Sequence, residues 1–235
     1  MRVSEDMVDS FVSEPWSDFI EGSVYPDNAV PWRHDPAYAT ILEHPGLRDS
    51  IGSHVAPALQ QAIGLVRAMT QVDVLDGVLS HRPAIGLSLG FGSNVQEPYD
   101  LLKTFELDCV HAYEWIGGHI IEAAKAFETL RADDPRLTTR IRLHHGTVSD
   151  LSALNTASIH LIYTANMYNR EIPMSEDTFE RSMQEIIRVL APRGCLISRG
   201  SAGVLEQSLA RYLHVLLENP LVSILQKEPR PTGST

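Results

Sequence analysis

The chain has 235 residues, 43% hydrophobic and 21% charged, which suits one soluble domain with a real core plus a sizeable extension. Its formal net charge of −11 argues against non-specific binding to nucleic acid or to an anionic membrane surface, and no run approaches the roughly 18 apolar residues of a membrane span. Two cysteines, Cys109 and Cys195, lie in apolar stretches and argue against a disulfide framework, which fits a reducing cytoplasm. The acidic start, Met1-Arg2-Val3-Ser4-Glu5-Asp6, carries no apolar signal segment.

In chain order, residues 11–36 read as loop, because Pro15, Pro26, Pro31 and Pro36 interrupt any regular element. Aromatic residues Phe11, Trp16, Phe19, Tyr25, Trp32 and Tyr38 are scattered through the same region. A short helix is expected over 37–44, ended by Pro45-Gly46. Val55, Leu59, Ile63, Val66 and Met69 recur at helical spacing and predict a helix over 54–70, with another over 72–81 stopping at Pro83. Residues 1–83 therefore read as a helical N-terminal extension.

From residue 84 strands and helices alternate. Strands are expected at 84–89, 108–113, 140–145, 158–164 and 194–199, and helices at 95–105, 117–131, 175–190 and 203–218. Leu221-Val222-Ser223-Ile224-Leu225 offers a last strand, and the tail 229–235 reads as flexible. This alternation predicts a mostly parallel sheet with helices on both faces over residues 84–228, an α/β Rossmann-like domain.

The chemistry begins where the first strand meets Gly90-Phe91-Gly92. Gly90 and Gly92 are free to take positive φ and carry no Cβ to obstruct a ligand. The helix that follows, from near Ser93 or Asn94, would aim free N–H groups at the same spot. Glu114 ends the next strand segment, at a spacing near the ~20 residues at which a carboxylate receives ribose hydroxyls in dinucleotide folds. Trp115, beside it, is a flat apolar surface for a purine.

Residues 84–199 resemble the class I S-adenosylmethionine-dependent methyltransferases. Arg188-Val189-Leu190-Ala191-Pro192-Arg193-Gly194-Cys195-Leu196-Ile197 is similar to the family's R-V-L-x-P-G-G-x-L helix end and fifth strand. His144-His145-Gly146-Thr147-Val148-Ser149-Asp150-Leu151 stands at the family's G-D-A-x-x-L segment, and Ser158-Ile159-His160-Leu161-Ile162-Tyr163 at its S-F-D-L-V. The resemblance implies a seven-stranded sheet with S-adenosyl-L-methionine across the carboxyl ends of strands one, two and four. It implies cofactor contacts at Gly90, Phe91, Gly92, Glu114, Trp115, Thr147, Val148 and Thr164. Departures stand beside it: Ser88 replaces a usual acid, Asn94 a usual glycine, Thr147 the adenine-contacting Asp and His160 a common acid. The family adds a helix and two antiparallel strands after the fifth strand, and with a helix expected to Glu218 one strand is expected to be missing or contributed differently here.

The segment after strand four, Thr164 to Glu171, lies where the family meets its acceptor. Asn166 and Tyr168 are candidates to bind it, and Tyr168 and Glu171 to deprotonate it. No Cys pair or His-x₃-His spacing among the ten histidines points to a metal, and the adjacent His144 and His145 must face opposite ways on a strand. These residues lead to a cytoplasmic methyltransferase acting on a small molecule by in-line transfer, with residues 1–83 as a lid, and without a nucleic-acid or membrane partner. Its rivals are another transfer from the same cofactor, such as an aminopropyl group, and a non-catalytic domain that binds the nucleoside or a protein partner. A nicotinamide-dependent oxidoreductase would need glycine at Val95.

Overall fold

The computed structural model describes residues 77–78, 80–92, 95–165, 167–168, 176–199, 204–218 and 222–228. The helices expected at 37–44 and 54–70, residues 72–76 and 79 of that expected at 72–81, and the tail lie outside these residues.

The strands are β1 (Ile85–Leu89), β2 (Cys109–Glu114), β3 (Ile141–His145), β4 (Ile159–Ala165), β5 (Leu190–Arg199), β6 (His214–Glu218) and β7 (Val222–Gln226). Between them lie helices α1 (Gln96–Thr104), α2 (Gly117–Asp133), α3 (Pro135–Thr138), α4 (Glu176–Val189) and α5 (Val204–Leu209). The strands form one sheet in the order β3-β2-β1-β4-β5-β7-β6. Strands β1 to β5 pair in parallel, and β7 runs antiparallel to both β5 and β6. Near-continuous burial along β1 and β4 is what a central parallel strand covered on both faces requires.

Alternate strand residues feed two cores. Val110, Ala112, Tyr163 and Ile197 pack with Leu101 and Leu102 of α1 and Ala123 and Phe127 of α2. On the other face Leu87, Leu89, Ile162 and Leu196 meet Phe179, Met183 and Ile186 of α4 and Leu205 and Leu209 of α5. Val78, just ahead of β1, is fully buried in the first of these cores.

Two expectations are corrected. The helix expected over 203–218 ends at Leu209, and His214–Glu218 is strand β6. No strand is missing: β6 and β7 form the antiparallel pair after the fifth strand. The apolar run from Leu213 to Leu217 suits either element, and pairing with β7 decides for the strand, because it satisfies the backbone of both.

The Arg188–Gly194 segment also finds its reason. Arg188 donates to the carbonyls of Leu151 (2.8 Å) and Leu154 (2.9 Å) and pairs with Glu185 at 2.6 Å, fastening α4 to the loop after β3. A Cβ on Gly194 would lie 2.9 Å from the Ala191 carbonyl oxygen and 3.1 Å from that of His160, so only glycine passes there. His160, in place of an acid, accepts from Ile85 N–H through Nδ1 at 3.1 Å and joins β4 to the start of β1. Burial, and then His81, whose tilted ring lies 5.2 Å away, lowers its tendency to hold a proton.

Candidate functional site

The strand order reverses between β1 and β4, and open parallel sheets bind ligands at the carboxyl ends of the strands beside such a point. The glycine turn stands there. Gly90 has φ +67° and Gly92 φ +65°, in the left-handed region, and Gly90 N–H donates to the Tyr113 carbonyl at 2.9 Å. A Cβ on Gly90 would meet Met167 Sδ at 2.9 Å, whereas the nearest atom to one on Gly92 would be His119 Nδ1 at 3.9 Å.

Glu114 closes this turn. Its Oε2 accepts from Gly92 N–H at 2.8 Å and its Oε1 from Ile116 N–H at 2.8 Å, while its own carbonyl accepts from Gly146 N–H at 3.0 Å. The residue is 5% exposed, and His119 Nδ1 approaches Oε1 at 3.6 Å, beyond hydrogen-bond length. A carboxylate has about four lone-pair directions, so two remain for adjacent hydroxyls of a ligand.

A second carboxylate was not foreseen from the sequence. Glu97, in the first turn of α1, is 5% exposed and accepts from Ser88 Oγ at 2.6 Å. Burial pushes its carboxyl up to about 7, against the Ser88 hydrogen bond and the attraction of Arg199, with Glu114 and Asp100 adding to the rise. The acid absent at position 88 is thus supplied from the facing helix. The signal in the sequence is an acid at the second position of α1, a segment whose other buried residues, Pro98, Leu101 and Leu102, are apolar.

On the β3 side, Trp115 is half-buried and its carbonyl lies 2.9 Å from His145 Nε2. His144 faces the other way, stacked on Tyr113 with ring centroids 4.5 Å apart and 2.9 Å from His111 Nδ1, as their adjacency in a strand demands. Burial is the main cause that lowers both histidines' proton affinity, His111 to about 4. The Thr147 hydroxyl is engaged by Ser149, through N–H at 3.2 Å and Oγ at 2.9 Å, and Val148 is buried in the second core. Phe91 is 4% exposed and packs in the first core, so its backbone alone borders the turn.

Thr164, next to last in β4, lies opposite Leu89. It is 1% exposed and its Oγ1 has no hydrogen-bond partner, an orphaned polar atom next to the turn. Tyr168 is also 1% exposed and meets Phe179 edge-on at 6.0 Å. Asn166 and Glu171 lie outside the described residues. Among the described residues no three of His, Cys, Asp and Glu gather as metal ligands.

Five parallel strands, then a helix and an antiparallel strand pair, with a glycine turn ending β1 and a carboxylate ending β2, decide the fold. The chain has the Rossmann-like class I methyltransferase fold. It matches no protein-family model and no curated protein. Among solved structures, an rRNA methylase from Streptococcus thermophilus is 14% identical over 66% of this chain and 92% of that one, with a TM-score of 0.48. An arsenic(III) S-adenosylmethionine methyltransferase from Chlamydomonas reinhardtii is 24% identical over 48% of this chain and 37% of that one, with a TM-score of 0.40. The cyclase SpnF is 18% identical over 68% of this chain and 60% of that one, with a TM-score of 0.44. This chain spans less than half the length of several structures it resembles. The class I assignment rests on strand order and direction rather than on these overlaps, and a fold does not name a reaction.

Proposed function

We propose that this chain is an S-adenosylmethionine-dependent methyltransferase acting on a small-molecule acceptor by in-line transfer. One observation carries the reading: Glu114, at the end of β2, holds the glycine turn through Gly92 N–H and keeps acceptor capacity for two hydroxyls at the sheet's switch point. S-adenosylmethionine would supply a methyl group activated on a sulfonium sulfur.

The residues present fit that cofactor. Glu114 would accept from the ribose hydroxyls, Gly90 and Gly92 would let the backbone approach, and Trp115 would cover a purine face. Thr147 and Val148 would border the base, and the orphaned Thr164 Oγ1 has a hydrogen bond to give. Asn166 and Tyr168 would position the acceptor, with Tyr168 or Glu171 removing a proton where the acceptor carries one. Residues 1–83, rich in aromatics, would cover the open end of the sheet and exclude water. The acidic balance, two free cysteines and the absence, among the described residues, of a helix long and apolar enough to cross a membrane suit small-molecule work in the cytoplasm.

Calorimetry tests it. S-adenosylmethionine and S-adenosylhomocysteine are expected to bind at micromolar concentration, and NADH is not. Binding of NADH with no response to either sulfur compound would overturn the reading.

A further inference from the structure

Glu97 puts a carboxylate where the fold otherwise buries apolar side chains. Its neighbours Leu101 and Leu102 on α1 are core residues, yet Glu97 turns in with them and meets Ser88, itself fully buried. Ser88 stands in β1 two residues before Gly90, so the carboxylate is held against the strand that runs into the glycine turn. One hydroxyl donor does not offset the loss of water around a carboxylate.

The charged and titratable groups around Glu97 are few. Arg199, from the end of β5, attracts it, and Glu114 from β2 and Asp100 from α1 repel it. Tyr163 of β4 stands beside Arg199, whose Nη1 lies 3.4 Å from the phenol oxygen. His119 of α2 approaches Glu114. Burial outweighs the attractions, so Glu97 exchanges its proton at about 7. Ser88 serves both states, since a hydroxyl donates to a carboxylate and accepts from a carboxylic acid.

We propose that Glu97 gives up its proton to solvent when a cationic ligand reaches the glycine turn, so that cofactor capture and the release of one proton are a single event. The proposal rests on the proposed function, which brings a sulfonium ion to this turn. A positive charge nearby favours the carboxylate, and the carboxylate holds the positive charge by the same amount. S-adenosylmethionine carries one more positive charge than S-adenosylhomocysteine, so the exchange selects cofactor over product. The sign follows from the free protein: below about 7 Glu97 must first lose its proton, so affinity rises with pH and levels off above that value.

The test is calorimetry of the full chain with S-adenosylmethionine and S-adenosylhomocysteine at pH 6, 7 and 8, in two buffers of different ionisation enthalpy. Expected is a several-fold to about tenfold gain in S-adenosylmethionine affinity from pH 6 to 8, with net proton release at pH 6 and a weaker trend for the product. In Glu97→Gln, whose amide still accepts from Ser88, the slope and the released proton should both vanish. Ser88→Ala, which removes the donor to the carboxylate, should move the midpoint to higher pH and serves if the first variant does not fold. A flat wild-type profile, or a slope that persists in Glu97→Gln, overturns the proposal while leaving the proposed function intact. If neither sulfur compound binds at any pH, the proposed function fails and this inference with it.

Discussion

Glu114 and Gly92, 22 positions apart, meet through a 2.8 Å hydrogen bond from the Gly92 N–H to the Glu114 carboxylate. That contact ties Glu114 to the turn, and under the proposed function its remaining lone pairs would also receive the ribose hydroxyls. Glu114→Ala should therefore weaken S-adenosylmethionine binding by about tenfold or more and also cost the unliganded protein roughly 1–3 kcal/mol, because two partly buried N–H groups lose their acceptor. Calorimetry and urea denaturation measure the two effects separately. A loss of affinity with an unchanged denaturation midpoint would show that the turn holds its shape without Glu114.

Gly90 is expected to tolerate no side chain. Gly90→Ala should destabilise the fold by about 1–2 kcal/mol for a left-handed alanine alone, with a further cost as Met167 is displaced. Met167→Ala should recover only the second part. A double-mutant cycle in urea reads that coupling, and a coupling of zero would mean that the flexible thioether moves aside freely.

Arg188 should matter to stability rather than to chemistry. Arg188→Ala strips donors from the Leu151 and Leu154 carbonyls and the partner from Glu185, and is expected to cost roughly 1.5–3 kcal/mol. The Arg188 guanidinium, and then the Leu151 N–H, hold the Glu185 carboxyl below its ordinary value. That contribution is present above the ordinary glutamate range and is lost as pH falls through the lowered value. Denaturation midpoints measured from pH 7 down to pH 3 should therefore fall less steeply in the variant than in the wild type.

His111 opens a second, separate acid window. It is held neutral by burial down to about pH 4, while the unfolded chain takes up its proton near 6.5. Stability should therefore decline as pH falls from about 6.5 to 4, and His111→Phe should flatten that decline. Proton NMR of the imidazole signals checks the cause directly, and a His111 titration near 6.5 would sink it.

Deleting residues 1–35 should leave a folded domain that keeps cofactor affinity and loses turnover. Unfolding of the truncated protein would assign the segment to core packing. Full turnover would leave the acceptor to the loop after Thr164 alone.

Much of the fold was legible in the sequence because parallel strands announce themselves locally. Ile85–Leu89, Ile159–Ala165 and the glycine turn between strand and helix are read from apolar runs and their stops, and their expected bounds fall within a residue or so of those found. Glu114 was legible for the same reason, since its place is set by the length of one helix and one strand. Spacing along the chain carried these inferences.

What the sequence left open depends on partners distant in the chain. Leu213 to Leu217 became strand β6 because β7 was there to pair with it, and no local pattern separates that run from a helix end. Ser88 looked like a lost acid until α1, packed across β1, brought Glu97 to within 2.6 Å of its hydroxyl. Composition, periodicity and spacing determined the sheet, its helices and the position of the carboxylate that ends β2. Only the tertiary structure decided the second carboxylate and its proton, because burial and the approach of Arg199, Glu114 and Asp100 are properties of the packed molecule and of no segment alone.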